Sequence, residues 1–525
     1  MNMKRIDMIL PALLIAASCF SACAEQEEYV PPRKEKPGSN EPVVEKFNDI
    51  GIEAHVEGEP YDTYEGLVMA GYQGWHAAKG DSSPYKRYAA SGNESWAHYS
   101  CHTNWPSRMQ PGAIGNAFSF WPDCSEYEKK YEAETFKMAD GSPAYLYSSW
   151  DESTVLTHFR WMQEYGIDGA FAQRFIVYTD RDKNEVEYDM HWENLKHQMK
   201  ASNEYGRAIC VMYDLVGLND GGKTVDTMFA DLDKLEQTYH FKDRSLGQKY
   251  YLYHNGKPLV AVVSFAQMDM PYDMTECREV VERLQERGYS VMIGVPTYWR
   301  DGGVDSPYTY ELTQMIRELH PDILMPWYTG RFDYKGTAHT YKASDRATSF
   351  DVFKERIKAD SQWCKDNGVL FAPNCWPGFD WSHQYPASLP YDRYGGDFMW
   401  AQAYYEVAVA GVHSFYIGMY DEIDEGTAIF KMCRKSDAPS NVGDGSYWVK
   451  YQSGTYTTSL RGPSEIQASE WCNADKWWEC NNAIVTSFNG VEDDQQTDHY
   501  LWLTGMIGKM LRGEIAITSK QPSRE

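Results

Sequence analysis

Eight short apolar runs, separated by amphipathic stretches, recur along most of this 525-residue chain. Near-continuous apolar runs with β-branched residues are typical of strands buried on both faces of a parallel sheet. Eight such strands alternating with helices predict an α/β fold, the (β/α)8 TIM barrel. A doubly wound open sheet is the alternative, but no phosphate-cradling glycine pattern follows the first run. The predicted strands are 67–75, 167–175, 207–215, 257–265, 289–299, 322–329, 369–376 and 412–422.

Helical periodicity fills the spaces between these strands. Ser153 and Ser349 are predicted N-caps, and Gly288 and Gly368 are predicted C-terminal stops. The predicted helices are 153–165, 190–205, 225–239, 275–288, 307–319, 349–368, 395–410 and 497–511.

Two long segments rich in Trp, Tyr, Gly and Ser, 76–150 and 433–496, lie outside the strand and helix count. Loops that follow barrel strands lie on the catalytic face. Both segments are therefore expected to shape a substrate cleft.

The N-terminal segment is typical of a targeting signal. Lys4 and Arg5 precede an apolar stretch, 9–20, that is too short to span a bilayer, and small residues then lead to Cys23. This arrangement resembles a bacterial lipoprotein signal, with residues 1–22 as signal peptide and Cys23 as the lipidated residue; Cys19 is the alternative. The acidic residues after Cys23 resemble the surface-export signal of Bacteroides-type lipoproteins, which predicts a surface-exposed outer-membrane lipoprotein.

The predicted domain organisation follows from composition. Residues 23–60 are rich in Pro, Glu and Lys and predict a flexible tether. Residues 61–525 then form the catalytic domain, and the lipid is the only expected contact with a membrane.

Composition limits the classes of binding partner that this chain is expected to have. The net charge of −26 argues against nucleic acid and against anionic membrane surfaces. The 18 Trp and 39 Tyr suit sugar rings, although they also fill cores. Cysteine and histidine show no metal-ligand spacing, so neither metal nor cofactor is expected. Export permits disulfides, and Cys101–Cys124 and Cys472–Cys480 are possible pairs.

Four carboxylates, Asp421, Glu422, Asp424 and Glu425, follow the eighth predicted strand within five residues. Like charges this close repel each other, and burial favours the neutral form of a carboxyl group. Paired carboxylates that divide acid and base roles are the working groups of glycosidases. Two alternatives are a solvated acidic loop and a calcium site, although the ligand rhythm of a calcium loop is missing.

Candidate substrate-binding residues lie at the predicted C-terminal strand ends, where a barrel places its active site. They share polar or aromatic character, and their convergence on one rim favours a sugar site. They are Gln73, Trp75, Gln173, Arg174, Asp214, Tyr298, Trp299, Arg300, Trp327, Asn374, Trp376 and Tyr420. Two of these residues also fit a structural role: Arg174 as part of an ion pair at the barrel rim, and Trp327 as a core residue.

The segment 422–429, EIDEGTAI, resembles the E-x-x-E-G-T-x-I motif of glycoside hydrolase family 99, the endo-α-mannosidases and endo-α-mannanases. A broader family 71/99-like group of bacterial proteins, often labelled xylosidase/arabinosidase, is similar over about 65–515. Its pattern is matched by 71–75, 121–123, 158–159, 165–169, 173–175, 503–505 and 510–514.

This resemblance implies a retaining hydrolysis without a carboxylate nucleophile. Glu422 would deprotonate the sugar 2-hydroxyl, which attacks the anomeric carbon and gives a 1,2-anhydro sugar. Glu425 would protonate the leaving oxygen and then deprotonate the water that opens the epoxide. Asp421 and Asp424 are expected to raise a neighbour's pKa, and Arg300 or Arg174 to hold one carboxylate ionised.

The expected substrate is an α-linked glycan, α-mannan-like or a related plant or host polysaccharide. Ile423 and Asp424 stand where the family 99 mannosidases have an aromatic residue and a histidine, and His76 stands where the broader group usually has Phe. A different glycan, as for a xylosidase/arabinosidase, therefore stays open. A non-catalytic surface glycan-binding lipoprotein and a metal-dependent hydrolase are the remaining alternatives.

Overall fold

Parallel strands form the centre of the computed structural model, which describes residues 52, 54–86, 96–99, 118–216, 224–268, 270, 272–302, 305–339, 346–382, 388–441, 446–452, 455–461, 483–485 and 488–524. Within these residues the barrel strands are β1 Val68–Tyr72, β2 Gly169–Phe175, β3 Ala208–Asp214, β4 Lys257–Val263, β5 Ser290–Val295, β6 Ile323–Pro326, β7 Leu370–Phe371 with Asn374–Cys375, and β8 Phe415–Ile417. Each predicted strand contains one of them.

The sheet closes on itself. Strands β1 to β6 pair in sequence order, and Leu370 of β7 then pairs with Ile323 of β6. The second half of β7 pairs with β8 through Asn374 and Tyr416. Pairing of β8 with β1 completes the ring. The predicted (β/α)8 barrel is confirmed.

Helices follow the strands. The main helices of the described residues are α1 Glu152–Tyr165, α2 Glu185–Tyr205, α3 Thr224–Tyr239, α4 Met274–Glu286, α5 Thr309–Leu319, α6 Phe350–Asp366, α7 Asp397–Tyr405 and α8 His499–Leu511, and a π-helical turn, Glu406–Ala410, extends α7. Ser349 occupies the N-cap position of α6, as predicted, but its side chain makes no capping hydrogen bond. Ser153 lies inside the first turn of α1, whose N-cap is Asp151. Gly288 and Gly368 both have positive φ, as expected of residues that end helices.

Side chains on successive strand residues alternate between the barrel lumen and the surrounding helices. The lumen is filled by an apolar cluster that includes Met69, Phe171, Met212 and Met325. Tyr61 and Tyr64 belong to the same cluster and precede β1, so they close the N-terminal end of the barrel. The opposite, C-terminal end is left for a site.

The described residues just before Tyr61, which the sequence assigned to the tether, contact the barrel. His55 stacks on Tyr61 with ring centroids 3.6 Å apart. Glu57 pairs with Arg207 at 2.6 Å and accepts a hydrogen bond from Gln163. The folded part of the chain therefore begins before residue 61. The predicted signal peptide and Cys23 lie outside the described residues.

The two predicted insertions pair with each other. In the first, Tyr131–Lys137 and Pro143–Leu146 form an antiparallel pair. Ser440–Asn441 of the second insertion joins this pair as a third strand. The second insertion also contains an antiparallel sheet of Ser446–Gln452, Thr455–Arg461 and Ala483–Val485.

Two short strand pairs complete the described secondary structure: Tyr253–His254 with the start of β4, and Phe332–Asp333 with Thr348–Ser349. Short 3-10 turns occur at Ile176–Tyr178, Arg244–Leu246, Tyr394–Gly396 and Lys435–Asp437.

No helix among the described residues combines the length and apolar character needed to cross a membrane. Cys124 is a buried free thiol, and Cys101, Cys472 and Cys480 lie outside the described residues.

Candidate functional site

A cavity of about 340 Å³ opens where the barrel strands end. Its lining combines amides and carboxylates with aromatic side chains, as in sites that bind polar ligands with apolar faces. The lining residues are Gln73, Trp75, Gln173, Phe175, Asp214, Val216, Val263, Ser264, Gln267, Gly294, Val295, Pro296, Thr297, Asp305, Met325, Trp327, Arg331, Glu422 and Glu425.

Both predicted catalytic glutamates lie on a turn after β8. The chain leaves the strand at Gly418, and the amides of Thr427 and Ala428 both donate to the carbonyl of Glu422 at 3.0 Å. Gly426 has φ +63°, and a Cβ there would lie 2.8 Å from the amide nitrogen of Asp380. A side chain at 426 is therefore excluded, and this tight turn brings Glu422 and Glu425 to the same cavity.

Asp421 fixes the start of this turn to β1. Its Oδ1 accepts a hydrogen bond from the amide of Gln73, and its Oδ2 accepts one from the amide of Gly74, both at 2.8 Å. Burial raises the pKa of Asp421 to about 7, while the two amide donors favour the charged form. Asp421 lies outside the cavity lining and joins the turn to the neighbouring strand.

Burial raises the pKa of both glutamates. For Glu422 the pKa lies well above its ordinary value, and repulsion from Glu425 and Asp424 adds to the effect of burial. For Glu425 burial and then the charge of Asp424 raise the pKa to about 8. Two interacting carboxyls of this kind lose their protons in two separate steps, so the pair shares one proton over an intermediate pH range.

Asp424 is held in the charged form, although it is buried. Burial opposes ionisation, but the hydrogen bond and charge of His98, followed by His76, bring the pKa of Asp424 below its ordinary value. His98 Nδ1 lies 3.1 Å and His76 Nε2 3.8 Å from the carboxylate. His98 also stacks on the cavity residue Trp75, with ring centroids 3.9 Å apart.

Two glutamines present unpaired amide oxygens next to the glutamates. The Gln73 amide nitrogen donates to Glu422 Oε2 at 3.3 Å, and the Gln173 amide nitrogen donates to Tyr416 Oη at 3.4 Å. Among the described residues, neither Oε1 atom has a hydrogen-bond partner, and both side chains are buried. A buried acceptor without a donor is costly, so both positions suit a ligand hydroxyl.

Arg331 is the cation beside the acid pair. Its positive charge lowers the pKa of Glu425 against the effect of burial. Arg331 pairs with Asp305 at 3.3 Å and donates to Thr297 Oγ1 at 3.1 Å. The sequence had proposed Arg300 or Arg174 for this role, and the structure corrects that proposal.

Arg174 faces away from the cavity because it alternates with the inward-facing Gln173 on β2. Its guanidinium forms a buried bidentate pair with Asp231 of α3, at 2.5 Å for both contacts. It also lies over the ring of Trp192. The predicted substrate contact of Arg174 is therefore a strand-to-helix ion pair.

The predicted residues after β5 also lie elsewhere. Trp299 is fully buried and packs edge-on against Trp363. Arg300 donates to Asp360 at 2.8 Å, and with Tyr298 it borders a separate surface depression of about 350 Å³. These three residues lie in the turn that follows β5, and none of them lines the cavity.

The remaining predicted contacts, Asn374, Trp376 and Tyr420, are buried and do not line the cavity. Asn374 accepts a hydrogen bond from Thr329 at 2.7 Å. Trp376 packs edge-on against Phe398, and the Tyr420 hydroxyl donates to the carbonyl of His158. They support the rim from behind it.

The sequence analysis missed several residues that line the cavity or contact the residues around it. Ser264 and Gln267 follow β4, and their place just after a barrel strand is the signal that could have identified them. Asp305 and Arg331 lie farther along loops, where the sequence does not indicate whether a side chain faces the cavity. His98 belongs to the first insertion, far from any strand end.

No group of three or more His, Cys, Asp or Glu within the described part of the chain is arranged to hold a metal ion.

Comparisons with known proteins return structures only. No family model and no curated protein matches the chain. The chain is similar to two structures of the GH99 endo-α-mannosidase from Bacteroides thetaiotaomicron, one of them in complex with bis-tris propane, at 13% and 12% identity; each match covers 86% of this chain and 98% of that chain with a TM-score of 0.48. A glycoside hydrolase-like protein matches at 10% identity over 60% of this chain and 88% of its own, with a TM-score of 0.39.

Proposed function

We propose that this protein is a retaining glycoside hydrolase that cleaves an α-linked glycan through a 1,2-anhydro sugar. The observation that carries the proposal is that Glu422 and Glu425 line one cavity at the C-terminal end of the barrel and that both have raised pKa values. Burial and mutual repulsion produce such values where carboxyls work as acid and base near neutral pH.

The proposed reaction needs one proton on the pair. Glu422 takes the proton of the sugar 2-hydroxyl, whose oxygen forms a bond to the anomeric carbon as the glycosidic bond breaks. Glu425 gives its proton to the leaving oxygen and then takes one from the water that opens the epoxide at the anomeric carbon. The epoxide oxygen recovers its proton from Glu422, so both carboxyls return to their starting states.

The site constrains where the proton starts. In the free protein burial raises the pKa of both glutamates, and the positive charge of Arg331 partly counteracts this rise at Glu425. The proposed roles therefore require the bound sugar to favour ionised Glu422, and the Gln73 amide supports that form by donating to its Oε2.

Single substitutions test the proposal. Glu422→Gln and Glu425→Gln should each lower kcat by about 10²–10⁴-fold on an α-mannan or another α-linked glycan found by screening, because each removes a general acid or base. The NMR signal of the first-formed product should show the α-anomer. Near-wild-type activity of either variant, or a β-anomer as first product, would overturn the mechanism.

Leaving-group dependence distinguishes the two roles. An aryl α-glycoside with a nitrophenolate leaving group needs little protonation, so Glu425→Ala should cleave it far better than a natural glycan. Glu422→Ala should be inactive on both, because the 2-hydroxyl still lacks a base. The reverse pattern would exchange the roles.

We also propose that the chain is anchored by a lipid on Cys23 at the cell surface. The basic, apolar and small-residue order before Cys23 supports this proposal. Cys23→Ala should move the protein from the membrane fraction to the soluble fraction, and protease treatment of intact cells should degrade the wild-type protein. Membrane retention of Cys23→Ala would overturn it.

A further inference from the structure

Arg393 is a buried arginine that contacts the turn carrying both glutamates. Its side chain precedes α7, and the whole residue is only 3% exposed. Its Nη2 donates to the carbonyl of Gly426 at 2.7 Å and to that of Ala428 at 2.9 Å. Both carbonyls follow Glu425 in the chain, whereas Asp421, the other attachment of the turn, precedes Glu422.

The Arg393 guanidinium lies over two aromatic rings. The guanidinium carbon lies 4.4 Å from the ring centroid of Phe120 and 4.6 Å from that of Tyr500. The Tyr500 hydroxyl in turn donates to Glu492 at 3.0 Å. Glu492 also accepts from the amide of Gly395 at 2.7 Å, so it is fixed itself. The arginine thus has little freedom to move.

Burying Arg393 in this way costs more free energy than burying an apolar side chain of similar size. Among the described residues, Nε and Nη1 of Arg393 have no hydrogen-bond partner, and burial of a charged group without full pairing costs free energy. Well-packed apolar side chains often replace buried charges at no loss of stability. What the guanidinium provides, and an apolar side chain does not, is the pair of hydrogen bonds to the turn.

We propose that Arg393 is a positioning residue that holds the turn 422–428 in the form that directs Glu425 into the cavity. The proposal rests on the proposed function of Glu425. Together with Asp421 it gives the turn two attachments: Asp421 joins its start to β1, and Arg393 joins its end to the segment before α7. Arg393 does not line the cavity, so it acts through Glu425 rather than on the substrate.

Arg393→Met tests the role because it keeps the apolar stem and removes the donors. We expect kcat to fall by about 10²-fold with KM changed less than about threefold, since a small misplacement of a catalytic group has an effect of that order. Arg393→Lys should recover part of the loss, because an ammonium group can still donate to a carbonyl. Guanidinium ions at millimolar concentration should partly restore kcat of Arg393→Ala.

Arg512→Met is the matched control. The Arg512 side chain is only 8% exposed and also donates to a carbonyl, that of Gly66, but this contact precedes β1 at the other end of the barrel. Unlike Arg393, it also pairs with Asp168 and Glu514. A merely structural role of Arg393 predicts equal effects on kcat in both variants after correction for the folded fraction. We expect kcat of Arg512→Met to stay within about twofold of wild type.

Hydrogen exchange tests the contact between Arg393 and the turn 422–428 without an activity assay. Amides of 426–430 should exchange faster in Arg393→Met than in wild type or Arg512→Met. Unchanged exchange and a kcat within twofold of wild type in Arg393→Met would overturn the proposal. A wild-type protein that hydrolyses no glycan, with faster exchange in Arg393→Met, would instead overturn only the proposed function and the catalytic reason for the contact.

Discussion

His98 Nδ1 lies 3.1 Å from Asp424 Oδ2, so a histidine from the first insertion fixes the charge between the two glutamates. Asp424 stays ionised because the hydrogen bond and charge of His98 outweigh its burial. Burial raises the pKa of Glu425 and that of Glu422, and the negative charge of Asp424 raises both further. The charge of Asp424 therefore contributes to the raised pKa that the acid role proposed for Glu425 requires.

Asp424→Asn should move the pH profile of kcat/KM to lower pH. Loss of the negative charge lowers the pKa of Glu425, so the acid is lost at a lower pH and the basic limb shifts by about one unit. The measurement is kcat/KM from pH 4 to 10, with Asp140→Asn as a control at an exposed site. A basic limb that does not move would show that Asp424 does not tune the pair.

Gln173→Leu should weaken kcat/KM by about 10- to 100-fold, because a hydrogen bond to a buried group is worth about 1–3 kcal/mol. The expected partner is a sugar hydroxyl, since Gln173 Oε1 has no partner among the described residues. A set of monodeoxy substrates identifies it: one deoxy position should cost the wild type much more than it costs Gln173→Leu. Equal sensitivity of both proteins at every position would exclude this contact.

Alternation along the strands explains how far the sequence analysis could go. Apolar runs predicted every barrel strand because burial on both faces leaves that pattern. The same pattern hides which neighbour faces the lumen, so Gln173 and Arg174 were both predicted substrate contacts, although only Gln173 lines the cavity. Trp299 and Trp376 were predicted to contact a sugar because the sequence does not distinguish an aromatic residue that is buried in the core from one that lines the cavity.

Long-range partners were the other limit. His98 reaches Asp424 across 326 residues, and Arg331 reaches the acid pair from a loop after β6. No local pattern encodes such contacts, because they depend on how insertions fold over the rim. The glutamate pair was accessible only because both members lie within one short motif.

Trp327→Ala and Trp299→Ala should distinguish a tryptophan that lines the cavity from one that is buried in the core. Trp327 lines the cavity, so its loss should raise KM with a small change in thermal stability. Trp299 is fully buried, and its loss should cost about 3–5 kcal/mol of unfolding free energy with little change in KM. Thermal melts and Michaelis–Menten kinetics measure both; a larger KM effect for Trp299→Ala would return that residue to the site.

Glu425→Gln should stabilise the protein at neutral and alkaline pH. The pKa of Glu425 is raised from an ordinary value of 4.5 to about 8, so the folded form keeps a proton that the unfolded chain releases. The stability due to this group is full below pH 4.5 and is lost as the pH rises towards 8, by roughly 1.4 kcal/mol per unit at most.

Glutamine does not titrate, so the melting temperature of Glu425→Gln should exceed that of wild type increasingly between pH 4.5 and 8. Glu422→Gln should act in the same direction, since burial raises the pKa of Glu422 as well. Melting curves at half-unit intervals measure the effect, and Glu286→Gln on the exposed surface of α4 gives the baseline for loss of a carboxylate. A difference that stays constant with pH would mean that Glu425 is ionised in the folded protein, and the acid role proposed for it would then fail.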